Sequence, residues 1–549
     1  MSWITQFIGC LLLSWLVSEP LPFHNDGEYA LRQPVNDSST LGKQADKVSA
    51  PVLDGSQAAI DAAEMVEPWH IHYKNQIICS FVILMHLLGA ASSVKAIMQT
   101  RTSQGSIAWF ICLNTFPYLA VPAYWVLGQS KFDGYHSLRS KANGTESIQQ
   151  KIRGVMADQH LLFKPSTARE HAQATLLRKL SRLPITTGND AKLLINGNNT
   201  FDAILSRISQ AQDYVLVQFY ILRDDALGQK LKATLLERAQ AGVRVSVLFD
   251  ELGSKELPDS YLQELRAAGA EIFPFNTRKG RGHRFRVNFR NHRKIVVVDG
   301  HDGYVGGHNV GVEYLGQDPV LTPWRDTHIE VSGPVVLCLQ VPFVEDWLWA
   351  TGQHLDLNWQ PRKTAQADKV AMCIPTGPAD QLETGTLMFL DMINSARERI
   401  WIVSPYFVPD DEMISALQLA ALREVDVRIL VPEKPDHKLV YLSSFSYLQE
   451  AENANVKIFR YQPGFLHQKV MLIDDDMATV GTANFDNRSM RLNFEVTMAI
   501  HDVDFASQVE QMLIDDFAQS RLVSASEYTN RSFCFRLAVR GARLLAPIQ

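Results

Sequence analysis

Two long uncharged runs dominate the first quarter of the chain. Residues 77–94 (IICSFVILMHLLGAASSV) and 102–130, with the centre IAWFICLNTFPYLAVPAYWVLG, contain no Asp, Glu, Lys or Arg. A membrane-crossing helix needs roughly 20 apolar residues. The second run meets that length, and its Trp109, Tyr118, Tyr124 and Trp125 suit the water–lipid boundary. The first run is short and holds His86. Together they predict a transmembrane helical hairpin over 74–130, turning near Lys95–Arg101. Residues 3–17 (WITQFIGCLLLSWLV) form another apolar stretch, but no basic residues precede it as in a secretory signal.

Beyond the hairpin the periodicity changes. Residues 213–250 (DYVLVQFYILRDDALGQKLKATLLERAQAGVRVSVLFD) and 399–432 (RIWIVSPYFVPDDEMISALQLAALREVDVRILVP) follow one plan. An apolar strand runs to Tyr220 or Tyr406. An Asp-Asp loop follows, at Asp224-Asp225 or Asp410-Asp411. An amphipathic helix and a Val/Ile-rich strand come next. A third short strand is expected around Ile272-Phe273 and Ile458-Phe459. Repeated strand–helix–strand units predict an α/β protein of two similar lobes, each a mixed sheet flanked by helices.

The expected domains are an N-terminal extension read as disordered (1–73), the hairpin (74–130), a linker with an amphipathic helix (131–185), lobe 1 (186–365), lobe 2 (366–525) and a C-terminal tail (526–549). The stretch REHAQATLLRKLSRL in the linker reads equally as a membrane-surface helix or as one packed on lobe 1. Trp347 and Trp349 read as core.

Charge sharpens this layout. The 549 residues carry a formal net charge of −6. Residues 1–73 hold nine acids and three bases, which accounts for all of it. The remainder is balanced, so a protein that coats nucleic acid is excluded, and no nucleic-acid partner is expected. Lys131, Arg139, Lys141, Lys151 and Arg153 follow the hairpin, whereas its turn holds only Lys95 and Arg101. The positive-inside rule then places the lobes in the cytoplasm. The six cysteines form no CxxC pair, so neither a zinc site nor a disulfide framework is indicated. Met65 stands just before the hairpin; a start there leaves 485 residues, and residues 1–64 are expected to be dispensable.

The chemistry lies in a duplicated motif. Residues 291–309 read NHRKIVVVDGHDGYVGGHN, and residues 467–484 read HQKVMLIDDDMATVGTAN. His292, Lys294, Asp299, Gly306 and Asn309 recur as His467, Lys469, Asp474, Gly481 and Asn484, at one constant offset of 175. Chance does not produce that. His and Lys two apart on a strand share a face. Two such strands side by side bring two imidazoles and two amines into one cleft. A lysine beside each histidine repels a cation, and no ligand set accompanies them, so no metal is expected. Lysines and asparagines suit an anionic phosphoryl group, with imidazole as nucleophile or general acid–base.

These residues resemble the phospholipase D superfamily, whose signature is HxKxxxxD followed by a Gly-rich turn and Asn. The likeness covers about residues 186–525. The hairpin and the stretches VLVQFYILRDD, GGHNVGVEYLG, WRDTHIEVSGP and NFDNRSMRLNFE are similar to those of bacterial cardiolipin synthases within it. Thr482 departs mildly from the pattern, which more often carries Ser there.

The resemblance implies a membrane phosphatidyltransferase of the bacterial inner membrane, with phosphatidylglycerol and other anionic phospholipids as partners and no cofactor. It implies transfer through a phosphohistidine, giving cardiolipin and glycerol. His292 is taken as nucleophile and His467 as acid and base. The near-symmetric motifs do not order the two. Lys294, Lys469, Asn309 and Asn484 are expected to hold the phosphoryl oxygens. Asp326 and Glu495 are expected to orient the histidines, and Asp299 and Asp474 to support the site structurally. Hydrolysis to phosphatidic acid, transfer to another alcohol, and a nuclease are the competing readings. A basic run from Arg278 to Lys294 holds eight bases and no acid. It reads as a solvated loop or as a surface for anionic headgroups.

Overall fold

The computed structural model describes residues 73–100, 102–128, 132, 134–135, 143–275, 288–364 and 368–549. The N-terminal extension, apart from Tyr73, and residues 278–287 of the basic run lie outside the described residues. Residues 76–549 form one compact unit.

Helix α1 (Lys74–Gln99) is 26 residues long. Among the described residues it is the one helix long and apolar enough to cross a membrane. The second apolar run departs from expectation. It is not one continuous helix but two short ones, α2 (Ser103–Thr115) and α3 (Pro117–Leu127), of 13 and 11 residues. The break has a local cause. Pro117 has no N–H to give and its ring clashes with the preceding turn, so it opens a new helix instead of continuing the old one. Phe116 between them adopts φ −132° and ψ 57°, outside the helical region.

The lobes follow the predicted repeat closely. Lobe 1 contributes β1 (Thr186–Ile195), β2 (Tyr214–Phe219), β3 (Arg244–Asp250), β4 (Glu271–Phe275), β5 (Ile295–Val298), β6 (Asp302–Gly306) and β7 (Thr327–Ser332). Lobe 2 contributes β8 (Lys369–Thr376), β9 (Arg399–Val403), β10 (Asp426–Pro432), β11 (Lys457–Tyr461), β12 (Val470–Ile473), β13 (Met477–Gly481) and β14 (Glu495–His501), with β15 (Ser520–Leu522) at the edge. The order is β4-β3-β2-β5-β6-β7-β1 in lobe 1 and β8-β14-β13-β12-β9-β10-β11-β15 in lobe 2. Apart from the added edge strand, the second is the mirror listing of the first. β2, β3 and β4 run parallel, and so do β9, β10 and β11; the motif strands β5 and β12 pair antiparallel to β2 and β9. An antiparallel β1–β8 pair joins the halves into one continuous ladder.

Burial follows the period-2 alternation of the strands. On β2, Tyr214 and Leu216 face a core shared by both lobes, which includes Val305 and Val331 of one and Val480 and Met498 of the other. Trp347 sits in the same core, as its apolar surroundings predict. Val215, Val217 and Phe219 face the opposite way, beneath the helices of lobe 1. The linker helix, Ala168–Ser181, corrects the expectation that it packs on lobe 1. Leu177 belongs to the core of lobe 2, and Gln173 Nε2 donates to Ser395 Oγ at 3.4 Å. It packs on lobe 2 instead. The tail is a helix, Phe533–Arg543, whose Val539 is buried in that same core.

Candidate active site

Neither motif histidine lies inside a strand. β5 begins at Ile295 and β12 at Val470, three residues past His292 and His467. The lead-in segments instead reach across to the other lobe. His292 N donates to Phe494 O at 2.9 Å, and Phe494 N donates to Arg290 O at 2.9 Å. On the other side, Phe465–Leu466 pairs parallel with Trp324–Arg325, and His467 N donates to Arg325 O at 2.8 Å. Each histidine is thus anchored by backbone of the opposite half.

That exchange carries the carboxylates with it. His292 Nδ1 donates to Glu495, at 2.9 Å from both Oε1 and Oε2. His467 Nδ1 donates to Asp326 Oδ2 at 2.7 Å. Glu495 follows the lobe 2 motif yet serves the lobe 1 histidine, and Asp326 does the reverse. A carboxylate on Nδ1 selects the tautomer that leaves Nε2 free with its lone pair, and it stabilises the imidazolium when one forms.

The carboxylates are held differently. Thr482 Oγ1 donates to Glu495 Oε2 at 2.6 Å, Ser489 Oγ donates to Oε1 at 3.0 Å, and Asn493 Nδ2 approaches Oε1 at 3.3 Å. Burial alone would raise Glu495, but His292, Lys294 and Thr482 outweigh it and hold the carboxyl below its ordinary value. Asp326 takes the Thr327 N–H at 2.8 Å and the Trp324 Nε1–H at 3.3 Å.

Both lysines are buried, and each donates to the carbonyl of its own histidine, Lys294 to His292 O at 2.7 Å and Lys469 to His467 O at 2.5 Å. Burial pushes Lys294 down to about 7 and Lys469 down to about 8, against the pull of Glu495 and Asp326. Burial also lowers His292, with Glu495 opposing, and lowers His467 further, with both lysines adding to the effect. The resting site therefore holds two neutral imidazoles.

The predicted asparagines part company. Asn309 is committed at both ends. Its Oδ1 accepts from Ile221 N at 3.1 Å and its Nδ2 donates to Tyr314 Oη at 2.8 Å. Asn484 Oδ1 is buried without a partner. The motif aspartates sit at the far ends of the motif strands. Asp299 accepts from the backbone N–H groups of Gln212, Asp213 and Tyr214 at 2.8 to 3.0 Å. Asp474 does the same for Arg397, Glu398 and Arg399 at 2.9 to 3.2 Å. They pin the starts of β2 and β9.

The described arginines of the basic run are buried rather than presented to lipid. Arg290 Nη1 lies 3.4 Å from Asp250 Oδ1, and Arg293 Nη1 lies 2.9 Å from Asp346 Oδ2. Sequence reasoning missed Asp346. It also accepts from Asn291 Nδ2 at 2.8 Å, Gln218 Nε2 at 2.7 Å and Tyr135 Oη at 2.8 Å. Its counterpart Asp516 takes Arg325 at 2.7 and 2.9 Å and Gln468 Nε2 at 2.8 Å. A signal was present, because VEDW and IDDF place an acid at matching points of apolar helices in the two repeats. His308 and His328, Nδ1 to Nδ1 at 3.1 Å, form a buried pair beside Asp326 that was also missed; burial pushes both down to about 3.

Known proteins resemble this chain in sequence and in fold. Residues 204–318 and 389–516 match the family described as cardiolipin synthase, PLD-like domain. Cardiolipin synthase A of Pseudomonas putida is 48% identical over 488 residues, 87% of this chain and 100% of the relative. Cardiolipin synthase A of Pseudomonas fluorescens is 48% identical over 469 residues, 85% of this chain and 97% of the relative. The crystal structure of phosphatidylserine synthase from Haemophilus influenzae superposes with a TM-score of 0.53 at 16% identity, covering 69% of this chain and all of that one, which is a likeness of fold. With near half of its residues identical to these relatives over almost their whole length, and with both motifs assembled in one cleft, the chain belongs to the cardiolipin synthase family of phospholipase D-like proteins.

Proposed function

We propose that this protein transfers a phosphatidyl group from one phosphatidylglycerol to another, giving cardiolipin and glycerol. The observation that carries the reading is the crossed pairing of His292 with Glu495 and of His467 with Asp326. It leaves two Nε2 atoms for one phosphorus, each backed by a carboxylate.

In the first step His292 Nε2 attacks the phosphodiester. The bond from phosphorus to the glycerol oxygen breaks as His467, protonated on Nε2, gives its proton to the leaving oxygen. Burial keeps His467 neutral at rest, so the proton enters with the anionic phosphodiester, whose charge favours the imidazolium. In the second step His467 takes the proton of a headgroup hydroxyl on the second phosphatidylglycerol. That oxygen attacks phosphorus, and the P–N bond breaks to restore His292. Lys294, Lys469 and the Nδ2–H of Asn484 meet the phosphoryl oxygens as charge develops. Asn309 positions Tyr314. Water in place of the second lipid would give phosphatidic acid. The reaction is assigned to the cytoplasmic face of the bacterial inner membrane, where the bases after residue 130 would lie.

The test uses purified protein in mixed micelles with headgroup-labelled phosphatidylglycerol. Cardiolipin plus released glycerol is expected, with His292→Ala and His467→Ala each reducing turnover by about a thousandfold or more. Phosphatidic acid as the main product would overturn the synthase reading. Trapped label on His467 instead of His292 would reverse the assigned order.

A further inference from the structure

α2 and α3 do not continue one another. Trp109 on α2 and Tyr124 on α3 meet edge to face with centroids 5.1 Å apart. In a straight helix those residues would lie roughly 22 Å apart along the axis. The pair is folded back on itself at Phe116. α1 reports the direction of each arm. α2 packs antiparallel to it, and a Cβ on Gly89 would stand 2.2 Å from Leu113 O, so only glycine permits that approach. α3 then returns parallel to α1. Tyr118 Oη lies 3.4 Å from His86 Nε2, and Trp125 Nε1 lies 3.4 Å from Ser92 Oγ, toward the Gln99 end.

Length settles how far the pair reaches. Arms of 13 and 11 residues span about 20 and 17 Å, against about 30 Å of hydrocarbon. The tip stops near the level of His86, close to the middle of the apolar stretch of α1. Its surface is apolar and open, with Phe116 68% and Leu119 79% exposed. Its polar side chains bond carbonyls of their own helix. Asn114 Nδ2 donates to Phe110 O and Thr115 Oγ1 to Ile111 O, both at 2.7 Å. A helical pair with no charge and its tip groups bonded internally satisfies the condition for residence in hydrocarbon.

We infer that α2 and α3 form a re-entrant pair that dips into one leaflet, packed on α1, with lipid acyl chains as the partner of its exposed face. Among the described residues the chain then crosses the membrane once, through α1. Gln76 emerges on one side, and Gln104, Leu127 and both lobes lie on the other. The flanking charges fit this path better than a two-span hairpin. Lys95 and Arg101 no longer oppose the positive-inside rule but join Lys131, Arg139, Lys141, Lys151 and Arg153 on one face. Leu127 also meets the site, since its carbonyl accepts from Asn288 Nδ2 at 3.0 Å, four residues before His292. The pair therefore roots beside the nucleophile that the proposed reaction uses at the lipid surface.

The test reads sidedness and does not depend on the lipid reaction. In the full chain, with Cys10, Cys79, Cys112 and Cys534 replaced by Ser, single cysteines are placed by Gln76→Cys, Gln104→Cys and, on lobe 1, Gln240→Cys. Each is exposed to a membrane-impermeant maleimide in intact spheroplasts and after lysis. Gln76→Cys is expected to react in intact spheroplasts, and the other two only after lysis. A hairpin of two spans would put Gln76→Cys and Gln240→Cys on one face and Gln104→Cys on the other, which overturns the inference. All three on one face would overturn it as well. A C-terminal reporter fluorescent only in the cytoplasm supplies a second reading of the lobe side in the unsubstituted chain. Absence of fluorescence there would contradict the placement.

Discussion

The two halves of the active site share a motif and differ in what surrounds it. Asp326, the shorter carboxylate, reaches His467 only because the backbone comes very close, and a Cβ on Gly307 would stand 2.0 Å from its Oδ1. At the matching position in the other half, 175 residues on, stands Thr482, whose hydroxyl holds the longer Glu495 at 2.6 Å. Removing a methylene from the acid and the side chain from the turn in one half, and keeping both in the other, leaves each carboxylate at its histidine. Farther out the halves diverge more. The His292 ring meets Tyr220 at 5.2 Å, beside the buried Arg290–Asp250 pair. The His467 ring is enclosed by Trp324, Phe465 and Tyr314 at 5.1, 5.8 and 6.2 Å. Tyr406, the repeat partner of Tyr220, donates to Asp436 at 2.5 Å. Symmetry is kept at the two imidazole–carboxylate pairs and relaxed in the aromatic side chains around them.

The largest effects should come from the carboxylates. Glu495→Gln and Asp326→Asn keep the shape but lose the charge that selects the tautomer, so each should lower turnover by about a thousandfold or more. Single-turnover assays should separate them. Glu495→Gln should mainly slow formation of the phosphohistidine, whereas Asp326→Asn should slow both its formation and its breakdown, because His467 moves a proton in each step. Equal slowing of both phases by both variants would break the proposed division of labour.

The lysines come next. An amine lowered to about 7 is cationic only below that pH, so Lys294 should lose its hold on the phosphoryl group first as pH rises, and Lys469, at about 8, second. Activity should therefore fall on the alkaline side. Lys294→Arg, which stays charged, should move that limb upward toward the Lys469 value, by about one pH unit. The sign for stability is opposite. Between pH 7 and about 10.4 the unfolded lysine binds a proton that the folded one does not, so stability rises with pH across that window. Lys294→Met should raise the melting temperature at pH 7 while abolishing most turnover. An unchanged alkaline limb in Lys294→Arg would show that this amine does not govern it.

Smaller effects bear on the compensated turn. Gly307→Ala must displace Asp326 and should cost about a hundredfold in turnover with a loss of about 1–3 kcal/mol in stability. Thr482→Ala removes one hydrogen bond to a carboxylate that keeps others and should cost about tenfold, with Thr482→Ser near the parent level. Denaturant titration and steady-state kinetics on the same preparations measure both. A Thr482→Ala variant more impaired than Gly307→Ala would refute the argument.

Much of this was legible in the chain. The constant offset of 175 located the site residues, and alternating apolar positions located the strands. The second apolar run reads as one helix because its composition outweighs Pro117, although proline is the strongest local signal of a helix break; Pro122, by contrast, is carried inside α3. The basic run was misread in part, because Arg290 and Arg293 find Asp250 and Asp346, acids distant in sequence that bury them.

The sequence by itself determined the duplicated lobes, the paired His-Lys motifs and the apolar N-terminal region, because each is written as local periodicity or as a repeat. Only the tertiary structure decided that Glu495 serves His292 and Asp326 serves His467. The choice depends on segments 202 and 142 residues away, Phe494 and Arg325, bonding to the histidine backbones from the opposite lobe. Spacing along a chain carries no record of which half a side chain will face once two similar sheets share one core.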